Sequence, residues 1–273
     1  MKTLVRAITA ILLLGVIGVM VYQWNAEPSK PLVVTPSAVE NADDAFPGAS
    51  VPGVSPPATI AVEPRIEHPV TPPESVGALP ALADSDGDFT AAVAAAIDLN
   101  GLEKFVDLTE IIPRLVVTID NLPGSKVAVQ KRLVKAIPGG FQVIENTDAL
   151  TLDTKNFARY APLVSRVTAM DPVQLAAVYA RFYPLFQQAY ADLGYPDRYF
   201  NDRLIAVIDH LLAAPDPAPP IPLVQPKVMY RFADGELEQA SAGHKIMMRI
   251  GQEQAGRIKA WLRELRAAIA TNP

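Results

Sequence analysis

The sequence contains no cysteine among its 273 residues. This absence excludes disulfide bonds, thiolate catalysis, cysteine-ligated zinc and a lipidated N-terminal cysteine. Histidine is scarce too, since only His68, His210 and His244 occur and they stand far apart, which argues against a three-histidine zinc site. A phosphate-binding glycine loop, a Gly-x-Ser-x-Gly elbow and a His-Glu-x-x-His motif are also missing. We therefore expect neither a cofactor nor a metal ion.

The chain beyond residue 80 has almost no excess of either charge. Residues 81–273 carry 20 bases and 22 acids, whereas residues 27–80 carry two bases and seven acids. A near-neutral domain has no global field to hold nucleic acid, so we expect no nucleic-acid partner. A domain of roughly 190 residues buries enough core to fold without disulfides. The lack of cysteine is therefore compatible with export.

Residues 7–24 form one long apolar run, in which Thr9 and Gln23 are the only polar side chains. As a helix these residues span about 27 Å, close to the ~30 Å hydrocarbon thickness of a bilayer. Lys2 and Arg6 precede the run and acids dominate after it. The positive-inside rule then leaves the N-terminus in the cytoplasm and the remainder outside it. We expect a single-pass protein of the bacterial inner membrane, bound to the lipid bilayer through residues 7–24, with a periplasmic domain.

A cleaved signal peptide is the alternative for this segment. Such peptides have an apolar core of about 7–15 residues followed by a small-x-small cleavage site. Here the apolar run is longer, and Trp24-Asn25-Ala26 has no small residue at the upstream position. We therefore interpret residues 1–26 as a cytoplasmic stub and an uncleaved signal anchor.

Residues 27–80 contain 12 of the 26 prolines. Proline removes a backbone donor and fixes φ, so neither a helix nor a sheet propagates through such a segment. The composition predicts a disordered linker with a reach of roughly 40 Å as a coil and about 170 Å when fully extended. A linker of this length either lets the domain work at a distance from the membrane or simply keeps the domain mobile.

Residues 81–273 show mainly helical apolar spacing, so we expect a single helical domain, or an α+β domain with a minor hairpin. Predicted helices cover residues 89–99, 102–107, 110–122 and 243–269. Another has Phe157, Tyr160, Ala161, Val164 and Val167 on one face. Two more run from Pro172, with Asp171 as the cap, to Gly194, and from a cap at Asp197 to Leu212. Predicted strands cover residues 141–145, 149–152 and 227–231. A calcium loop at residues 84–88 fails, because Ala95 stands where a bidentate glutamate is required.

Two patterns have both a functional and a structural interpretation. Tyr179, Phe182, Tyr183, Phe186 and Tyr190 recur at three- and four-residue steps, which is typical of a glycan or peptide platform or, more commonly, of core. The adjacent pair formed by Asp209 and His210 suggests acid–base chemistry. Neighbouring helical side chains diverge by about 100°, however, so a solvated polar face is the simpler interpretation.

The last predicted helix has a basic side opposite its apolar side. The bases are Lys245, Arg249, Lys259, Arg263 and Arg266. They form a candidate partner-binding ridge for an anionic lipid, an anionic polymer or an acidic protein, or else a solvated face. Catalytic residues stay unknown, because acids need no local signature. The acids that we shortlist are Asp120, Asp153, Asp209 and Glu236.

Several runs in the domain resemble an uncharacterised bacterial family, the domain of unknown function 3014. They are Asp120–Pro123, Asn156–Pro162, Tyr183–Tyr190, Leu193–Pro196, Tyr199–Arg203 and Ile208–Leu212. Members similarly place a hydrophobic segment and a proline-rich stretch before the domain, which implies a Gram-negative inner-membrane setting. The resemblance brings no assigned activity, so it transfers no functional residue.

The sequence as a whole favours a membrane-anchored envelope module that binds a partner protein or a cell-wall polymer. A carboxylate-dependent envelope hydrolase or transferase is the alternative, and a small-ligand sensor is a third possibility. A cleft containing two acids with perturbed pKa values would favour the enzyme. A shallow surface with an exposed aromatic or charged patch would favour binding.

Overall fold

The structure, a computed structural model, describes residues 66–73, 77–96, 107–125, 139–146 and 149–270. These ranges are mainly helical and include one small antiparallel sheet, as predicted. After a 3-10 turn at Leu82–Asp84, the helices are α1 (Asp86–Ala96), α2 (Ile111–Asn121), α3 (Lys155–Thr168), α4 (Pro172–Asp192), α5 (Phe200–Leu212), α6 (Gly235–Gln239), α7 (Ala242–Arg249) and α8 (Gln252–Ala270). The strands are β1 (Val143–Asn146), β2 (Ala149–Leu152), β3 (Pro222–Val224) and β4 (Arg231–Phe232), in that spatial order.

Helix α4 is the centre of the main core. It packs against α1, α2, α5 and α8, and its five-member aromatic stripe is at most 4% exposed. The ring of Phe182 meets that of Phe89 edge-on, with centroids 5.2 Å apart. Burial of each such ring contributes roughly 1.5–3 kcal/mol. The core interpretation of the stripe is thus confirmed, as is the cap, because Asp171 accepts from the backbone N–H groups of Val173 and Gln174.

The predicted hairpin is confirmed, since β1 pairs antiparallel with β2; residues 147–148, which join them, lie outside the described ranges. The strand predicted at residues 227–231 is wrong except at its last residue. The sheet instead continues through Pro222–Val224 and Arg231–Phe232, where Leu223 lies between Leu150 and Phe232. Strands of two or three residues are too short to show an alternating pattern, so only their pairing defines them.

The single helix predicted over residues 243–269 is wrong, because α7 ends at Arg249 and α8 begins at Gln252. Gly251 between them has φ +82°, a conformation that glycine adopts without a steric penalty. The ring of Phe157 lies so close that a Cβ at this position would be 2.6 Å from its Cγ. The break therefore depends on both the backbone angle and the neighbouring ring.

The start of α5 also differs from the prediction. The helix begins at Phe200, and the side chain of Asp197 does not cap it. The N–H of Phe200 instead donates to Oε1 of Gln187 on α4, at 2.9 Å. A side chain from a distant helix thus supplies the acceptor that a local cap usually provides.

Several predicted segments lie wholly or partly outside the described ranges. They include the anchor at residues 7–24, residues 27–65 of the linker, residues 97–99 of the first predicted helix and most of the helix at residues 102–107. Within the described ranges, no helix is both long enough and apolar enough to cross a bilayer.

Candidate functional site

Residues 66–70, which we call the strap, lie across the first turn of α5. The two carboxylate oxygens of Asp202 accept from the backbone N–H groups of Glu67 and His68, at 3.2 and 2.8 Å. Nδ1 of His68 lies 3.1 Å from the same carboxylate. Val70 is buried in the main core, and its N–H donates to the Tyr199 hydroxyl. This part of the range predicted as linker, including His68, therefore packs on the helical domain.

Asn201 joins the strap to two further helices. Its amide donates to the carbonyl oxygens of His68, at 3.0 Å, and Ile269, at 3.4 Å. Its own oxygen accepts from the Tyr179 hydroxyl at 3.1 Å. Burial raises the pKa of Tyr179 well above its usual value, which keeps this hydroxyl a neutral donor. The fully buried Asn201 thus connects the strap, α4 and α8.

Arg203 points toward α2. Its Nε donates to Oδ1 of Asp120 at 2.8 Å, and a second guanidinium nitrogen donates to the Asp120 carbonyl at 2.6 Å. The hydroxyl of Tyr195 donates to the other carboxylate oxygen at 3.4 Å. Successive side chains on a helix diverge by about 100°. Arg203 consequently reaches α2, whereas Asp202 reaches the strap and Asn201 reaches both the strap and α8.

A groove of about 610 Å³ opens beside the strap, and we call it the strap groove. It lies between the strap, the end of α4, the loop that follows and the first two turns of α5. Its lining residues are Ile66, Glu67, Gln187, Tyr190, Pro196, Asp197, Arg198, Tyr199, Asp202, Arg203 and Ala206. Many of them fall in the runs Tyr183–Tyr190, Leu193–Pro196 and Tyr199–Arg203, which carry the family resemblance. Those runs were the only sequence signal for this site, and they did not reveal that it is a groove.

In the strap groove, apolar surface lies beside charged side chains that form no ion pair within the described ranges. Ile66 is 50% exposed, and Pro196 is exposed on the loop. Glu67 and Asp197 have exposed side chains and make no side-chain hydrogen bond or ion pair within the described ranges. The guanidinium of Arg198 lies over the ring of Tyr195, 5.6 Å from its centroid. Such a surface suits recognition of an extended segment that carries both apolar and charged side chains.

The charge balance of the strap groove is acidic. Glu67, Asp197 and Asp202 contribute carboxylates, whereas Arg198 contributes one base. Arg203 adds little net charge because its guanidinium is paired with Asp120. Both carboxylate oxygens of Asp202 accept hydrogen bonds from the strap, so this side chain has a structural role. No group of three potential metal-ligating side chains occurs in the described part of the chain.

Three of the four shortlisted acids have partners, and these partners differ. Asp120 pairs with Arg203, and Asp153 accepts from the backbone N–H of Lys155 at 2.8 Å. Asp209 forms a bidentate pair with Arg266, at 2.6 and 2.9 Å. Glu236 is exposed in the first turn of α6. Among the described residues, no hydrogen bond or ion pair brings two of these four acids together.

The five bases of the candidate ridge do not form one exposed basic surface. Arg249 is 5% exposed, and burial lowers its pKa to about 10. Lys259 is 7% exposed and donates to the Ala214 carbonyl and to Asp216, both at 2.7 Å. Lys245 pairs with Glu238 at 3.4 Å and Arg266 pairs with Asp209, whereas Arg263 is exposed. The break at Gly251 ends the continuous helix on which these five bases were expected to share one face.

His210 and His244, which stand apart in the sequence, meet in the fold. Their rings stack with centroids 4.0 Å apart, and Nε2 of His244 lies 2.7 Å from the His210 carbonyl oxygen. Nε2 of His210 lies 2.7 Å from Oγ of Ser241, which caps α7. Burial, together with His244 and Arg203, lowers the pKa of His210. Asp209 pairs with Arg266 instead, so the sequence-adjacent pair Asp209 and His210 does not form a dyad.

The comparisons place the helical domain in a family while leaving its activity open. No curated protein and no protein of solved structure matches this chain. One family model matches residues 111–266, from the first residue of α2 to a position four residues before the end of α8. The match excludes the strap and α1 but includes the α4 and α5 walls of the strap groove. The chain therefore belongs to the family described as protein of unknown function (DUF3014).

Proposed function

We propose that this protein is a membrane-anchored envelope module whose periplasmic domain binds a segment of another envelope protein in the strap groove. The anchor is residues 7–24, which precede a proline-rich linker. The observation that carries the binding proposal is the strap groove itself. It offers the charged side chains of Glu67, Asp197 and Arg198 next to exposed apolar surface, a combination typical of peptide recognition.

The acidic balance of the groove favours a protein segment over an anionic wall polymer. A polymer with a negative charge on each repeat would meet Glu67, Asp197 and Asp202 with only Arg198 to offset them. Like charges brought together in an interface oppose binding. The polymer hypothesis was based on the basic ridge, but two of its five bases, Arg249 and Lys259, are buried.

Binding is better supported than carboxylate catalysis. Glycoside hydrolysis, for example, needs two carboxyl groups roughly 5–9.5 Å apart around one bond. Asp120, Asp153 and Asp209 are instead engaged with separate bases or backbone groups, and Glu236 is exposed on α6. In the groove, Asp202 is committed to the strap by its hydrogen bonds.

Membrane topology is testable with the full-length protein in cells. Protease added to spheroplasts should degrade the domain, whereas the same protease should leave it intact in unopened cells. The protein should also resist alkaline extraction from membranes, because an apolar helix holds it in the bilayer. Recovery of a free polypeptide that begins after Trp24 would contradict the anchor.

The binding site is testable by photo-crosslinking in living cells. A benzoylphenylalanine introduced in place of Asp197 should give a discrete protein adduct, and the same probe at Val173, which is 67% exposed on α4, should not. Arg198→Glu should abolish the adduct and weaken binding of the purified partner at least tenfold. Arg181→Glu is the matched control, because the Arg181 guanidinium also lies over an aromatic ring, 5.2 Å from the centroid of Phe182. Equal adducts at both probe positions, or adducts that contain only glycan, would overturn this assignment.

A further inference from the structure

The described part of the chain begins at the strap groove. Ile66, the first described residue, lines that groove. Consecutive Cα atoms are about 3.8 Å apart, so residues 60–65 are covalently held within about 20 Å of it. A short connection of this kind gives an effective concentration in the millimolar range. At equal affinity, residues 60–65 therefore occupy the groove far more often than the same peptide would when free in solution.

Residues 60–65, Ile60-Ala61-Val62-Glu63-Pro64-Arg65, alternate in character. In an extended chain, side chains point alternately to opposite sides. Ile60, Val62 and Pro64 then share an apolar side, whereas Glu63 and Arg65 share the other. This segment, which we call the arm, thus has an apolar side suited to Ile66 and Pro196 and a charged side suited to the groove's charges.

The charges of the arm complement those of the groove. Glu63 is opposite in sign to Arg198, the base of the groove that carries no ion pair among the described residues. Arg65 is opposite in sign to Asp197 and is one of only two bases in residues 27–80. Ion pairs between the arm and the groove, if partly shielded from solvent, contribute mainly to specificity and register.

Proline reduces the conformational entropy that the arm loses when it becomes ordered. Pro64 fixes its own φ, and it biases Glu63 toward an extended conformation. A segment that is already extended loses less conformational entropy when it binds. Polyproline-type segments use this property when they dock in grooves lined by aromatic side chains, and Tyr199 provides such a ring here.

We propose that the arm occupies the strap groove of its own chain, with Glu63 toward Arg198 and Arg65 toward Asp197, and competes there with the partner segment. This inference rests on the proposed function, since both use the same groove. It assigns the ligand a chemistry: an extended, proline-containing segment with alternating apolar and charged side chains. The arm is then an internal competitor that a partner must displace.

Hydrogen exchange of the full-length protein in lipid nanodiscs tests the docking. The amides of Ala61, Val62, Glu63 and Arg65 should exchange at least tenfold more slowly than those of residues 37–42 in the same chain. Glu63→Arg or Arg198→Glu should each remove the protection, and the double variant should restore it. Arg181→Glu should leave it unchanged. Equal exchange in the two segments, or protection that survives Arg198→Glu, would overturn the proposal.

Two further measurements separate this inference from the proposed function. Protection that falls on tenfold dilution would show docking between two copies and would overturn the internal contact. The double variant Ile60→Ser with Val62→Ser should raise the affinity for the captured partner at least threefold. If the Asp197 probe still captures a partner but the arm is unprotected, the arm inference fails and the binding function stands. If the arm is protected and no partner is captured, the arm stands and the partner proposal fails.

Discussion

Asp202 and His68 are 134 positions apart in the sequence, yet one carboxylate oxygen of Asp202 contacts His68 twice. It accepts from the His68 backbone N–H at 2.8 Å and lies 3.1 Å from Nδ1 of the ring. With Asn201, which donates to the His68 carbonyl, Asp202 holds the strap on the helical domain. The strap is consequently a wall of the groove rather than a loose connection.

Asp202→Ala should release the strap. The backbone N–H groups of Glu67 and His68 lose their acceptors, and unfolding free energy should fall by about 1–3 kcal/mol. Hydrogen exchange at these two amides should accelerate at least tenfold, while urea titration measures the stability. Glu236→Ala is the control, because that side chain is exposed on α6 and has no hydrogen bond or ion pair among the described residues. Unchanged exchange at Glu67 and His68 in Asp202→Ala would contradict this account.

Gly251→Ala should destabilise the junction of α7 and α8. Its φ of +82° is strained for alanine, and the new Cβ would be 2.6–2.9 Å from three atoms of the Phe157 ring. We expect a loss of about 2–4 kcal/mol from overpacking and backbone strain together. Thermal or urea unfolding measures it. Gly256→Ala is the matched control: apart from its chain neighbours and the backbone of its own helix, no atom lies within 4 Å of its added Cβ, and alanine in a helix should add up to about 1 kcal/mol. Equal losses in both variants would refute the steric argument.

The free energy of unfolding should decrease as the pH is lowered, because His210 titrates. Because burial and its charged neighbours lower the pKa of His210 in the folded state, the unfolded chain binds more protons once the pH drops below about 6.5. This contribution is present above that pH and is lost as the pH falls toward the lowered folded pKa. Urea midpoints at pH 7.5, 6.5 and 5.5 should therefore decrease less in His210→Gln than in the wild type. Parallel decreases in the two proteins would show that His210 plays no part.

Lys259 and Arg263 should respond differently to removal of their charge, although both were assigned to one basic ridge. Lys259→Met leaves the buried Ala214 carbonyl and Asp216 without their donor, which should cost about 1–3 kcal/mol. Arg263→Met changes an exposed side chain and should stay within about 0.5 kcal/mol of the wild type. Urea unfolding of both variants measures the difference. Similar values would mean that Lys259 is not a structural residue.

Local chemistry predicted much of the fold. The cap formed by Asp171 and Pro172, the aromatic stripe of α4 and the hairpin are each encoded in a few consecutive residues. Such features depend on hydrogen bonds and side-chain periodicity within one element, so they are readable from the chain. The cap of α5 was not, because Gln187 provides its acceptor from another helix.

The sequence by itself determined that the domain is mainly helical, that α4 lies in its core and that the chain belongs to its family, because periodicity and sequence runs are local properties. Only the tertiary structure decided that Asn201 and Asp202 reach the strap while Arg203 reaches α2, that Arg249 and Lys259 are buried, and that a groove opens beside the strap. Those outcomes depend on which elements meet in space. A helical pattern records which side of a helix is apolar, but not which residues lie against it.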